Sequence, residues 1–63
     1  MEKIFSVKND FVNARLDRWF RRNVCEVPQS LIEKSIRKGK IKVNNKKKMS
    51  SYKLQKDDQI FVY

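Results

Sequence analysis

PQSLIEKSIRKGKIKVNN, Pro28 to Asn45, is the stretch that decides how this chain folds. Ile32 and Ile36 are four apart, with Leu31 and Ser35 beside them, so one helical face is apolar. Lys34, Arg37 and Lys38 share the same spacing and fall on the opposite face. Gly39 is the only glycine in the chain and stands where this helix must stop. The position after a helix end takes a left-handed backbone, which glycine adopts without steric cost. Beyond it the period changes from 3.6 to 2: Ile41 and Val43 point one way, Lys40, Lys42 and Asn44 the other. A basic helix face and a basic strand face therefore meet at one corner. Such a corner presents positive charge to a phosphate backbone.

The rest of the chain supports a thin core around this stretch. Sixty-three residues make one domain, of a size that buries only about 60% of the surface its unfolded chain exposes. The composition, 40% hydrophobic and 37% charged, is that of a globular protein. No apolar run approaches the roughly 20 residues of a membrane span, and no secretory signal is read at the start, so a cytoplasmic protein is expected. Cys25 is the single cysteine and histidine is absent. No disulfide, metal or cofactor is expected from such a chain, and the commonest general base is missing.

Charge is the strongest compositional signal. Sixteen Lys and Arg stand against seven Asp and Glu, a formal +9. Residues 1–14 and 49–63 are each neutral overall, while 15–48 holds twelve basic residues against Asp17, Glu26 and Glu33. Concentration of this kind points to a polyanionic partner; charge needed only for solubility would be spread evenly.

Taken in order, residues 3–8 read as an edge strand with Phe5 and Val7 on the buried side. Phe11 and Val12 lead into a first helix from about Ala14 to Val24, with Asn13 as its N-cap. Leu16, Trp19, Phe20 and Val24 form its apolar stripe. Arg15, Arg18 and Arg22 form a second stripe, and Asp17 and Arg21 are spaced to pair. Cys25 ends the helix as a small half-buried group. Ser30 and Glu33 have capping-box spacing, so the second helix takes Pro28 or Ser30 as its N-cap. Asn44-Asn45 marks a turn, and Lys46, Lys47 and Lys48 follow on its tip. Met49-Ser50-Ser51 is irregular, Tyr52 and Leu54 return to the core, and Lys56-Asp57-Asp58 turns into a closing strand, Gln59–Tyr63, with Ile60 and Val62 inward. The pattern predicts an α+β fold: two helices on a small, mostly antiparallel sheet.

Three of these segments, RLDRWFRRN, PQSLIEKSIRKGKIKVNNKK and YKLQKDDQIFVY, resemble the S4 RNA-binding domain with its alpha-L motif. The likeness lies in Arg15-Leu16-Asp17 opening the first helix, Ile36-Arg37-Lys38-Gly39 closing the second, Ile41-Lys42-Val43-Asn44 in the strand, and a turn before the last strand. It covers roughly residues 13–63. The chain departs from the family at Asp57, where glycine is usual, so Asp57 is expected to carry a strained positive φ. The Pro-Gln-Ser-Leu-Ile-Glu-Lys opening of the second helix is similar to the subgroup found in RluC-like large-subunit ribosomal RNA pseudouridine synthases. Met1 fits a domain that stands first in such an enzyme. The resemblance implies an RNA-targeting module whose catalytic domain follows Tyr63. Those synthases also carry a catalytic aspartate within an Arg-Leu-Asp sequence, but catalysis is not carried onto Asp17. A flipped uridine needs a pocket that this core has no room for.

The expected RNA surface comprises Arg15, Arg18 and Arg22, Ser30, Lys34, Arg37 and Lys38, Lys40 and Lys42, and Lys46, Lys47 and Lys48. Capping or packing is the plainer reading of Ser30, and solvation that of the arginine stripe. The expected partner is structured RNA, recognised by shape, and the expected state is a monomer. Trp19 and Phe20 fit the core. Tyr52, Phe61 and Tyr63 are not interleaved with the basic run, so base stacking is not expected of them; Phe61 and Tyr63 fit a surface that meets another domain. The alternative function is a stand-alone RNA- or ribosome-binding protein. A DNA-binding helix-turn-helix is the weaker reading, because the lysines continue into a strand.

Overall fold

The computed structural model describes residues 3–63. Strand β1 (Lys3–Ser6) leads through a single 3-10 turn (Asn9–Phe11) to helix α1 (Leu16–Asn23). Helix α2 (Gln29–Arg37), strand β2 (Ile41–Val43) and strand β3 (Gln59–Val62) follow. The sheet is antiparallel in the order β1-β3-β2, so β1 lies at an edge as its sequence predicts. The fold is α+β, two helices on a three-stranded sheet. The Tyr52–Leu54 return is no strand of that sheet: it touches the chain before α1 through one isolated bridge, Arg15 to Lys53.

The core follows the predicted stripes. Leu16, Trp19 and Phe20 from α1 meet Ile32 and Ile36 from α2, Ile41 and Val43 from β2, Ile60 from β3, and Val7 and Leu54. Each large apolar side chain buried here contributes about 1.5–3 kcal/mol. Trp19 also receives Phe5 edge-on, ring centroids 5.5 Å apart. Leu31 departs from its expected place. It is 47% exposed, because Ile32 and Ile36 alone occupy the narrow inward stripe of so short a helix.

The helix starts differ from the sequence reading. Asn13 is not an N-cap: its φ is +70°, and α1 begins three residues later, after Arg15, with no side-chain cap. The 50–54 segment supplies the missing acceptors through its main chain. The Leu16 amide donates to the Tyr52 carbonyl (2.8 Å) and the Asp17 amide to that of Ser50 (3.2 Å). Orphan amides of a first turn are satisfied here by a distant strand-like segment, a solution no local motif announces. Helix α2 takes Pro28 as its N-cap, with no side-chain cap bond, so Ser30 and Glu33 close no capping box. Cys25 is exposed, not half-buried, since α1 has already ended at Asn23.

Candidate nucleic-acid interface

The predicted corner is built by local backbone chemistry. The Gly39 amide donates to the Ile36 carbonyl (3.0 Å) and the Lys40 amide to that of Ser35 (2.9 Å), the two bonds of a Schellman motif. Gly39 has a φ of +79°. The Cε atoms of Lys42 and Lys47 each lie 3.6 Å from where a Cβ on residue 39 would sit, so two lysine stems cross the bare glycine. Five residues on, Asn44 and then Asn45 take φ values of +52° and +67°. Val43 and Lys46 exchange both backbone hydrogen bonds, 2.9 and 3.0 Å, across this two-residue turn of the primed kind. The turn folds the lysine tip back towards α2. As a result Arg37, Lys47 and Lys48 line one groove together with Glu33, Ile36, Met49 and Ser50.

A buried carboxylate holds the far side of this loop. Asp58, 7% exposed, accepts from the Gln55 amide (2.8 Å), the Tyr52 hydroxyl (2.9 Å) and Asn44 Nδ2 (2.9 Å). Asn44 Oδ1 in turn accepts from the Gln59 amide (3.0 Å), and the Asp58 carbonyl accepts from Val7 (3.0 Å). Burial pushes the Asp58 carboxyl up, but the Gln55, Asn44 and Tyr52 bonds and the Lys48 charge outweigh it and hold its pKa below the usual carboxylate value. Burial foremost, then the bond to Asp58 and its charge, raise the Tyr52 phenol. Lys48 Nζ sits 5.2 Å above the Tyr52 ring, and Lys42 Nζ 5.5 Å from that of Tyr63. The two tyrosines thus orient these two lysines. Asp57, in the same turn, has a φ of +71°, the left-handed backbone its sequence predicts.

Helix α1 carries a second basic groove, lined by Arg18, Arg21, Arg22 and Glu26. Arg21 does not pair with Asp17. Its guanidinium donates to Gln29 Oε1 (2.6 Å), and Gln29 Nε2 donates to Asp17 Oδ2 (2.8 Å). The amide thus bridges the two helices and takes the position the ion pair was expected to fill. Asp17, 6% exposed, also accepts from Arg15 (3.1 Å) and from the Arg18 amide (2.7 Å). These partners make Asp17 a tie between α1, α2 and the chain before them.

The structure brings Arg37, Lys47 and Lys48 together and sets Lys42 beside them at Gly39. It places Arg18 and Arg22 in the other groove, and Arg15 at Asp17. Ser30, Lys34, Lys38, Lys40 and Lys46 are exposed and line neither groove. Sequence reasoning missed Arg21, whose i+3 spacing from Arg18 was a sufficient signal. It also missed Met49 and Glu33, whose place in a groove depends on the fold of the loop.

Over nine-tenths of its length the chain matches one kind of enzyme. Ribosomal large subunit pseudouridine synthase C of Buchnera aphidicola is 35% identical over 57 residues, which cover 90% of this chain and 18% of that protein. The same synthases of Vibrio vulnificus and Escherichia coli are 33% and 34% identical over 58 residues. This chain is related to a segment of those synthases. It spans about a fifth of their length, 18%. No family model and no solved structure gives a significant match. Among the described residues no helix is long and apolar enough to cross a membrane.

Proposed function

We propose that residues 1–63 form one S4-type RNA-binding domain that brings a pseudouridine synthase to structured ribosomal RNA in the cytoplasm. In this reading the catalytic domain follows Tyr63, and the present chain supplies affinity and placement, binding as a monomer. The observation that carries the proposal is the convergence of Arg37, Lys47 and Lys48 on one groove, with Lys42 beside them, in a chain related to those enzymes.

Phosphate contacts dominate such a surface. Arg37 can fork two hydrogen bonds onto one phosphate, whereas each lysine acts as a point charge. A-form RNA hides its bases in a deep, narrow major groove, so a corner this wide meets backbone and loop. Neutralising about six phosphates gives a log–log salt slope of roughly −4 to −5. A fluorescence-anisotropy titration of a ribosomal RNA stem-loop and a DNA duplex of equal length, at several salt concentrations, tests the proposal. The expected result is a preference for RNA with that slope; equal affinity for both would overturn it.

A further inference from the structure

We propose that the groove between α2 and the 47–50 loop holds one unpaired nucleotide of the bound RNA, with a preference for a base that carries an exocyclic amino group. The inference rests on the RNA reading above and adds a base subsite to it.

Three features of the groove point this way. Its cations, Arg37, Lys47 and Lys48, stand on both sides, one on the helix and two on the loop. That arrangement suits the phosphate of a nucleotide turned inwards. Its apolar part is the exposed Met49 and the buried Ile36. Met49 is 76% exposed, the most exposed large apolar side chain among the described residues. An apolar side chain beside guanidinium and ammonium groups offers a base a surface for its face, which a site for phosphate alone does not need. The third feature is Glu33. A carboxylate in a groove meant only for phosphate weakens it. Here Oε1 accepts from Gln29 Nε2 (3.0 Å), which fixes the carboxylate, and Oε2 has no hydrogen-bond partner within the described residues. A carboxylate accepts from the N4 amino group of cytosine and repels the O4 carbonyl that uracil presents at the same place. Charge and shape together fit a nucleotide whose base meets Met49, whose amino group meets Glu33 and whose phosphate meets Arg37 and the two lysines.

The test uses four RNA hairpins of one sequence: fully paired, and with a single bulged cytosine, uracil or abasic nucleotide. Affinities are read by anisotropy at fixed salt, with a DNA duplex alongside. The chain is expected to bind the bulged cytosine about tenfold more tightly than the abasic bulge, with uracil between them. Met49→Ala should lose that advantage and bind cytosine and abasic bulges alike. Glu33→Ala should tighten binding to every RNA through the charge gained, yet bring the cytosine and uracil affinities together. Circular dichroism checks that both variants are folded. Equal affinity for cytosine and abasic bulges, with RNA still preferred over DNA, would overturn the subsite and leave the RNA reading standing. A loss in Met49→Ala equal for all four hairpins would also overturn it. Loss of the preference for RNA over DNA would remove both.

Discussion

The two basic grooves differ in how they are made. The groove on α1 draws Arg18, Arg21 and Arg22 from the helix and Glu26 from just past its end, all within nine consecutive residues, so helical spacing alone places its three arginines. The groove beside α2 joins Glu33, Ile36 and Arg37 to a loop that begins at Lys47. Between them stand a Schellman turn, a strand and a primed two-residue turn, and behind the loop stands the Asp58 network. The first groove is a property of a helix and the second a property of the fold. Charges placed by a fold sit at distances the fold enforces, whereas charges along a short exposed helix are spaced by the helix alone. The second groove should therefore carry shape recognition, and the first should add unspecific attraction.

The sharpest way to break this contrast is to remove Asp58. Asp58→Ala leaves the Gln55 amide, the Tyr52 hydroxyl and Asn44 Nδ2 without their acceptor and should cost about 3 kcal/mol. A domain of this size has only about 3–9 kcal/mol to lose. Urea unfolding followed by circular dichroism measures the loss; a change below 1 kcal/mol would show that the loop is held by other contacts.

Acid should act through the same carboxylate. Because the folded Asp58 pKa lies below the usual value, its contribution is fully present above the unfolded carboxylate pKa of about 4. It disappears as pH falls through the folded pKa. The urea midpoint should stay level from neutral pH to about 5 and fall below about 4. In Asp58→Asn the fall should be shallower, and an unchanged profile would assign the acid sensitivity to another group.

Two of the left-handed positions, Gly39 and Asp57, give smaller and opposite effects. Gly39→Ala should cost about 1 kcal/mol, because alanine resists a positive φ. The neighbouring lysine stems, 3.6 Å from the new Cβ, add no clash. Asp57→Gly should gain about 0.5 kcal/mol by relieving the same strain. Thermal melts of both variants check the signs, and unchanged melts in both would mean that neither position penalises a side chain.

Much of this was legible beforehand, and the reason can be given residue by residue. Periodicity fixes which residues a helix or strand buries, so Leu16, Trp19, Ile32, Ile36, Ile41 and Ile60 were readable as core. Gly39 and Asn44-Asn45 were readable as turns, because few residues tolerate the backbone required there. The helix starts were not. Sequence offers a side-chain cap at Asn13 and a capping box at Ser30, but the amides of α1 bond to the carbonyls of Ser50 and Tyr52, about 35 residues away in sequence. The Asp17–Arg21 pair failed for a similar reason: Gln29, from the other helix, reaches both residues. As for the candidate interface, most of its basic residues could be named from spacing, while Glu33 could not. Which of them share a groove depends on Gly39 and Asp58 acting together.

The most direct test compares two double variants on one structured RNA. Arg37→Ala/Lys47→Ala and Arg18→Ala/Arg22→Ala each remove two positive charges, so a purely electrostatic surface would respond to both alike. Anisotropy titrations over a range of salt should show about a thirtyfold loss for the first pair and about threefold for the second, each with a shallower slope by about 2. The preference for RNA over duplex DNA should vanish only in the first. Equal losses with the preference intact in both would contradict the account and reduce the fold-built groove to general positive charge.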